Sequence, residues 1–156
     1  MVNPIDHSDV PPARESRFWR IVLDLMLRAA PTGVMRRVRA RDPKVPIDEF
    51  VIVGRRSGQE RHYLLNHLRV DGGRYVGHPN GSSQWVRNLV AAGGCTMIDR
   101  AGTSERLTAT ELPDGPERNA VIASTAHMPP PAGIVYGAAS RHIRAAGRFF
   151  RVEPTS

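Results

Sequence analysis

EFVIVGRRSGQERHYLLNHLRVDGGRYVGH, residues 49–78, holds three apolar runs separated by two clusters of turn residues. Runs rich in Val, Ile, Leu and Tyr, bounded by Ser-Gly and Asp-Gly-Gly, are the pattern of antiparallel strands rather than of helices alternating with strands. Strands are therefore expected near 48–54, 61–70 and 74–79. The Ser57-Gly58 pair turns the chain between the first two. Asp71-Gly72-Gly73 makes a tight hairpin before the third, because Asp and Gly tolerate the positive φ that such turns require. Three adjacent strands in succession predict a meander.

Beyond this core, SSQWVRNLVAA at 82–92 predicts a helix with Ser82 or Ser83 as N-cap and the Gly93-Gly94 pair as its stop. Strands near 95–100 and 105–112 follow as a second hairpin around Ala101-Gly102-Thr103. Asp114, with Glu117 three residues on, resembles a capping box that starts a helix running to about Ala126, and Pro129-Pro130-Pro131 ends it. A loop and short helix come next, and GRFFRVEP at 147–154 supplies a closing strand. The chain is thus mainly β, an α+β protein of about six antiparallel strands with helices inserted between hairpins, and closing such strands into a barrel removes the exposed edges.

Upstream, MVNPIDHSDVPPARE at 1–15 is proline-rich with little apolar pattern and is expected to be a flexible tail. SRFWRIVLDLMLRAAPTG at 16–33 predicts an amphipathic helix capped by Ser16 and stopped by Pro31 and Gly33. Phe18, Trp19, Val22, Leu25 and Met26 form its apolar side, with Arg17, Arg20, Asp24 and Arg28 largely opposite. A basic amphipathic helix can lie on an anionic membrane surface, a peripheral contact through residues 16–30, or pack on its own domain. Packing is the expectation, since an apolar helical stripe usually faces a core. The chain divides into a tail at 1–15, a helix and linker at 16–44, and a barrel at 45–156.

At 156 residues the chain is the size of one domain, and its single cysteine, Cys95, cannot form an internal disulfide. With no secretory leader pattern, a cytoplasmic location is expected. The formal charge is +7, from 22 Lys plus Arg against 15 Asp plus Glu, and nearly all the positive charge is arginine. Guanidinium groups match carboxylate and phosphate with paired donors, so an anionic ligand fits this composition, although GC-rich coding produces the same excess. Nucleic acid fits poorly, because the strands at 61–70 and 74–79 supply only Tyr63 and Tyr75 as stacking platforms. His62 and His67 sit five apart on one expected strand and point to opposite faces, and no Cys or His pair has ligand spacing, so no metal site is expected. Neither a nucleophile elbow nor a Gly-Lys-Ser/Thr phosphate loop is present.

The candidate chemistry lies in two short segments. In the first, Gly54, Ser57 and Gly58 let the backbone approach a ligand while Arg55, Arg56 and Arg61 offer planar donors, which together make an oxyanion cradle or an ordinary charged turn. In the second, Gly81-Ser82-Ser83 leads into the helix bearing Trp85, so free amides and the positive end of the helix dipole face the residues before it. The two segments are expected to share one mouth of the barrel.

Gly54-Arg55-Arg56-Ser57-Gly58-Gln59-Glu60-Arg61, followed after about twenty residues by Trp85-Val86-Arg87-Asn88-Leu89, resembles the deazaflavin-dependent nitroreductase family. That family carries a Gly-Arg-Lys/Arg-Ser-Gly-x-x-Arg turn ahead of a Trp-x-x-Asn-Leu helix, and the resemblance covers residues 45–152. It implies a split β-barrel akin to the FMN-binding barrels, coenzyme F420 as cofactor with FMN as the alternative, and hydride transfer to a small hydrophobic acceptor such as a quinone or nitroaromatic. A non-catalytic role in binding or storing such a cofactor is the other reading. Arg55, Arg56, Ser57, Gly58 and Arg61 would then meet the anionic tail, Trp85 and Asn88 would flank the cofactor, and Tyr136 would donate a hydrogen bond to the acceptor. Tyr63 and His78 lie on strands leading to the same region. Relatives of this barrel are often dimers, so a homodimer is implied too. The chain departs from the family at Ile52 and Val53, where threonines are usual, and at Glu60 and Gln84, where prolines are common. Glu60 is expected to pair with a neighbouring arginine.

Overall fold

The computed structural model describes residues 12–28 and 32–156, so most of the expected tail and positions 29–31 fall outside the described residues. In chain order the elements are α1 (Arg17–Arg28), α2 (Thr32–Arg41), β1 (Ile47–Val53), β2 (Glu60–Asn66), β3 (Leu68–Val70), β4 (Gly73–His78) and α3 (Gln84–Ala92). The second half holds β5 (Gly94–Ile98), β6 (Ser104–Glu111), α4 (Pro116–Ser124), α5 (Ala132–Ala138), α6 (Ser140–Ala146) and β7 (Arg148–Pro154). A helix, α2, stands where a linker was expected.

All seven strands join one antiparallel sheet in the order β2-β1-β5-β6-β7-β4-β3. The two edge strands, β2 and β3, are consecutive in the chain with only His67 between them. The edges of the sheet therefore meet at that residue, and the sheet curls into a barrel of the split type. The expected single strand at 61–70 is in fact two, because the chain bends at His67 to serve both edges.

Both pairings of the predicted meander form, β1 with β2 and β3 with β4, but the bend at His67 sends them to opposite ends of the sheet order. On its other side β4 pairs with β7, from Tyr75↔Arg151 to His78↔Arg148. Such a pairing between segments some seventy residues apart has no local turn to announce it. The local hairpins form as expected: Val70↔Gly73 closes a turn with φ of 48° at Asp71 and 80° at Gly72. At the β5–β6 turn, the Asp99 carboxylate accepts hydrogen bonds from the backbone N–H groups of Ala101 and Thr103.

Two apolar clusters lie on the two faces of the curled sheet. Phe50, Ile52, Val76, Met97, Leu107, Phe150 and Val152 join Trp85, Val86 and Leu89 of α3 in one. Tyr75, Leu112 and Phe149 meet Leu23 of α1 and residues of α4, α5 and α6 in the other. The neighbours Phe149 and Phe150 divide between the clusters, as alternation along a strand requires.

Three helix expectations change. α1 packs with Leu23, Trp19 and Met26, while Phe18 and Leu25 face outward. Its rotation is set by Asn80, whose side-chain amide donates to the Arg20 carbonyl and the Asp24 carboxylate at 2.9 and 2.8 Å. α4 begins at Pro116 with no side-chain cap. Its expected capping residues are used elsewhere, Glu117 by Arg151 and the Tyr75 hydroxyl, and Asp114 by Arg118. Two helices, α5 and α6, rather than one, follow the proline run.

Candidate functional site

The arginine turn is built by its backbone. Gly54 N–H donates to the Gln59 carbonyl and Gly58 N–H to the Gly54 carbonyl, each at 2.8 Å, with φ of 67° at Gly58. A Cβ on Gly54 would stand 2.8 Å from Ser57 Oγ and 3.3 Å from the Gln59 carbonyl oxygen, so a larger residue there would turn the Ser57 hydroxyl aside.

Asn88, buried on α3, ties this turn to the helix. Its carbonyl oxygen accepts from Arg55 N–H at 3.2 Å and from Arg55 Nη1 at 3.0 Å, and its amide donates to the Tyr63 hydroxyl at 3.1 Å. Gln84, in the first turn of α3, accepts a further bond from Arg55 Nη1 at 3.0 Å, a contact that the usual proline could not make. A cavity of about 300 Å³ results, lined by Gly54, Arg55, Arg56, Ser57, Arg61, Tyr63, Gln84 and Asn88.

Charge in this cavity is one-sided. Arg56 and Arg61 form no ion pair among the described residues, and Arg55 meets only the neutral amides of Gln84 and Asn88. Glu60 forms no ion pair among the described residues, contrary to the expected pairing with a neighbouring arginine; it lines a different cavity, with Cys95 and Arg106. Several guanidinium groups held together without a carboxylate repel one another, a cost that an incoming polyanion removes.

Tyr63 also lines a second cavity of about 320 Å³, so the two adjoin at that residue. The walls of the second are largely apolar, with Leu27 of α1, Met35 of α2, Leu65, Leu68, Trp85, Met128 and Phe149. Its polar groups include His62, His78, Ser83 and Tyr136. His78 sits 6.3 Å from the Trp85 ring, and its burial lowers its pKa, which favours the neutral imidazole. The His78 ring nitrogen Nδ1 accepts from Asn80 N–H, leaving Nε2 as the protonated nitrogen of the neutral ring.

Tyr136 lies on α5, buried with its phenol pKa pushed up to about 12 by desolvation. No hydrogen bond to its hydroxyl forms among the described residues, so at neutral pH it is a protonated donor with spare capacity.

At the helix start, Ser83 is the N-cap, its Oγ accepting from Val86 N–H at 3.3 Å, and it lines the larger cavity. Gly81 and Ser82 line neither cavity; Gly81, at φ of 66°, is pressed against the Ala146 carbonyl, where a Cβ would come within 2.5 Å. Gly58, too, lines neither cavity. Trp85 serves two purposes, lining the larger cavity and filling the apolar cluster behind it. Sequence reasoning missed Gln84 as a wall and the contributions of Leu27, Met35 and Met128. Only the departure from proline at 84 carried a local signal.

No family model matches this chain, and no curated protein matches it. Solved structures do. An F420-H2-dependent reductase is 24% identical over 69% of this chain and 94% of its own, with a TM-score of 0.54. The heme storage protein HutZ of Vibrio cholerae is 15% identical over 78% of this chain and 89% of its own, with a TM-score of 0.51. A conserved hypothetical protein of Mycobacterium tuberculosis is 12% identical over 94% and 85% of the two chains, with a TM-score of 0.55. With an arginine-lined cavity opening beside an apolar one, the chain shares the split β-barrel fold found among F420-dependent reductases and heme-binding proteins alike.

Proposed function

We propose that this protein binds coenzyme F420 and passes a hydride from its reduced form to a small hydrophobic acceptor of the quinone or nitroaromatic type. The observation that carries this reading is the pair of adjoining cavities: one holds unpaired guanidinium groups, the other apolar walls, and they meet at Tyr63. A flat ring with a long phosphodiester and glutamate tail has the same division of polarity. Arg56 and Arg61 would hold the tail by charge-assisted hydrogen bonds, with Arg55 pre-set by Gln84 and Asn88.

The coenzyme supplies hydride from a ring carbon, and the chain supplies position, dryness and a proton. Trp85, Leu65 and Met128 exclude water from the larger cavity. The Tyr136 hydroxyl, protonated and lining the same cavity, would donate a hydrogen bond to an acceptor oxygen as negative charge develops on it.

Storage of a flat ring ligand is the second reading, favoured by His62, which lines the same apolar cavity and, with Nδ1 bonded to Glu49, would offer its other imidazole nitrogen to a heme iron. Titration of the purified protein with F420, FMN and hemin, followed by the absorbance of reduced F420 in the presence of a soluble quinone, separates the readings. Micromolar or tighter F420 binding with quinone-dependent oxidation supports the oxidoreductase. Tight hemin binding without F420 binding refutes it.

A further inference from the structure

The apolar arc of helix α1 is wider than the face it buries. Trp19, Leu23 and Met26 face the protein, whereas Phe18, Ile21 and Leu25 are 64%, 51% and 63% exposed. These three lie three and four residues apart and so form one ridge, with the exposed Arg17 and Arg28 at its ends. On α2, Val34 and Val38 are 47% and 41% exposed and interleave with exposed Arg37 and Arg41 at the same spacing. Single exposed apolar side chains are ordinary, but rows of them edged by charge mark a contact surface.

Composition selects the occupant. Residues 17–41 contain seven arginines and one acid, Asp24, whose carboxylate is occupied by Asn80. Arg20 pairs with Glu15 and Arg39 with Asp48, while Arg17, Arg28, Arg36, Arg37 and Arg41 have no carboxylate partner among the described residues. A second copy laid on this face by two-fold symmetry would set arginine against arginine with no acid between them. An anionic lipid surface offers both an apolar layer for the ridge and phosphates for the guanidinium groups. No helix among the described residues is long and apolar enough to cross a membrane, so α1 would lie in the plane of the surface.

We propose that α1, assisted by α2, docks this protein on an anionic membrane surface, with Phe18, Ile21 and Leu25 entering the headgroup boundary. Leu27 and Met35, on these same two helices, line the larger cavity, so the docked face adjoins its rim. The proposal stands apart from the identity of the cofactor.

The test is cosedimentation of the full chain with vesicles of phosphatidylcholine alone or mixed with phosphatidylglycerol. Binding is expected only with the anionic lipid. It should weaken when salt rises from about 0.1 M to about 1 M, which shortens the screening length from about 10 Å to about 3 Å. Phe18→Ser/Ile21→Ser/Leu25→Ser should weaken partitioning on the order of a hundredfold, each half-buried side chain being worth several-fold. Arg17→Gln/Arg28→Gln should weaken it in anionic vesicles alone, which keeps the proposal testable should the triple variant misfold. Absence of wild-type binding to anionic vesicles, or equal binding by the folded triple variant, overturns the proposal. So does a lipid-free dimer that the triple substitution dissociates, which would give the ridge to a second copy.

Discussion

Replacing Arg56 and Arg61 together by alanine tests the anion cradle most cleanly. Neither forms an ion pair among the described residues, so their removal costs the folded chain little and relieves mutual repulsion. Arg55 is the wrong choice, because it also donates to Gln84 and Asn88 and its loss would relax the cavity wall. Each charge-assisted hydrogen bond to a bound anion is worth about 1.5–3 kcal/mol, so the double variant should lose about 3–6 kcal/mol, or roughly a hundredfold to ten-thousandfold in Kd. Both side chains are exposed, and screening places the outcome toward the lower end. The assay is F420 fluorescence titration at two salt concentrations, with thermal melting of both proteins alongside. The wild type should bind more weakly at high salt, and the double variant should show a flatter salt dependence. An unchanged Kd in a double variant that melts with the wild type would refute the reasoning, because no other described group in that cavity carries a positive charge except Arg55.

Three more outcomes are expected. Asn88→Ala removes the bonds to Arg55 and Tyr63 from a buried position and should lower stability by about 2–3 kcal/mol in a urea titration, with loss of F420 affinity alongside. Tyr136→Phe should lower turnover with a quinone by roughly tenfold at unchanged F420 affinity if its hydroxyl donates to the acceptor, and equal turnover would remove it from the mechanism. Stability should fall as pH drops below about 6.5, the ordinary histidine value, because His67, His78 and His142 all have lowered folded-state pKa values. The sign follows from linkage: below 6.5 the unfolded chain takes up protons that the folded chain refuses until its own lower values are reached. At His142, Nδ1 accepts from Ser16 N–H and Nε2 bonds Asn80, so protonation would break the tie at the start of α1. His142→Gln should flatten the pH dependence of melting between pH 7.5 and 5.

What the chain writes locally could be read from it. Asp71-Gly72 and Asp99 to Thr103 fold their own hairpins because φ preference and short side-chain bonds act within a few residues. Ser83 and Gly93 bound α3 for the same reason. The arginines at 55, 56 and 61 and the α3 residues Trp85 and Asn88 were also visible as a pattern, although not the carbonyl of Asn88 that joins them.

Only the tertiary structure decided the rest. The β4–β7 pairing and the bend at His67 turn a run of strands into a curled split barrel, and both depend on where distant segments lie. The apolar arc of α1 is wider than the face it buries, so periodicity alone cannot choose which part turns inward; Asn80 does, by holding Arg20 and Asp24. Glu117 abandons the start of α4 because Arg151 and Tyr75 offer it stronger partners. Local patterns encode turns, caps and candidate donors through short-range sterics and hydrogen bonds. The face a helix buries, and the cavity two segments enclose, depend on contacts between residues remote in sequence, which no local window contains.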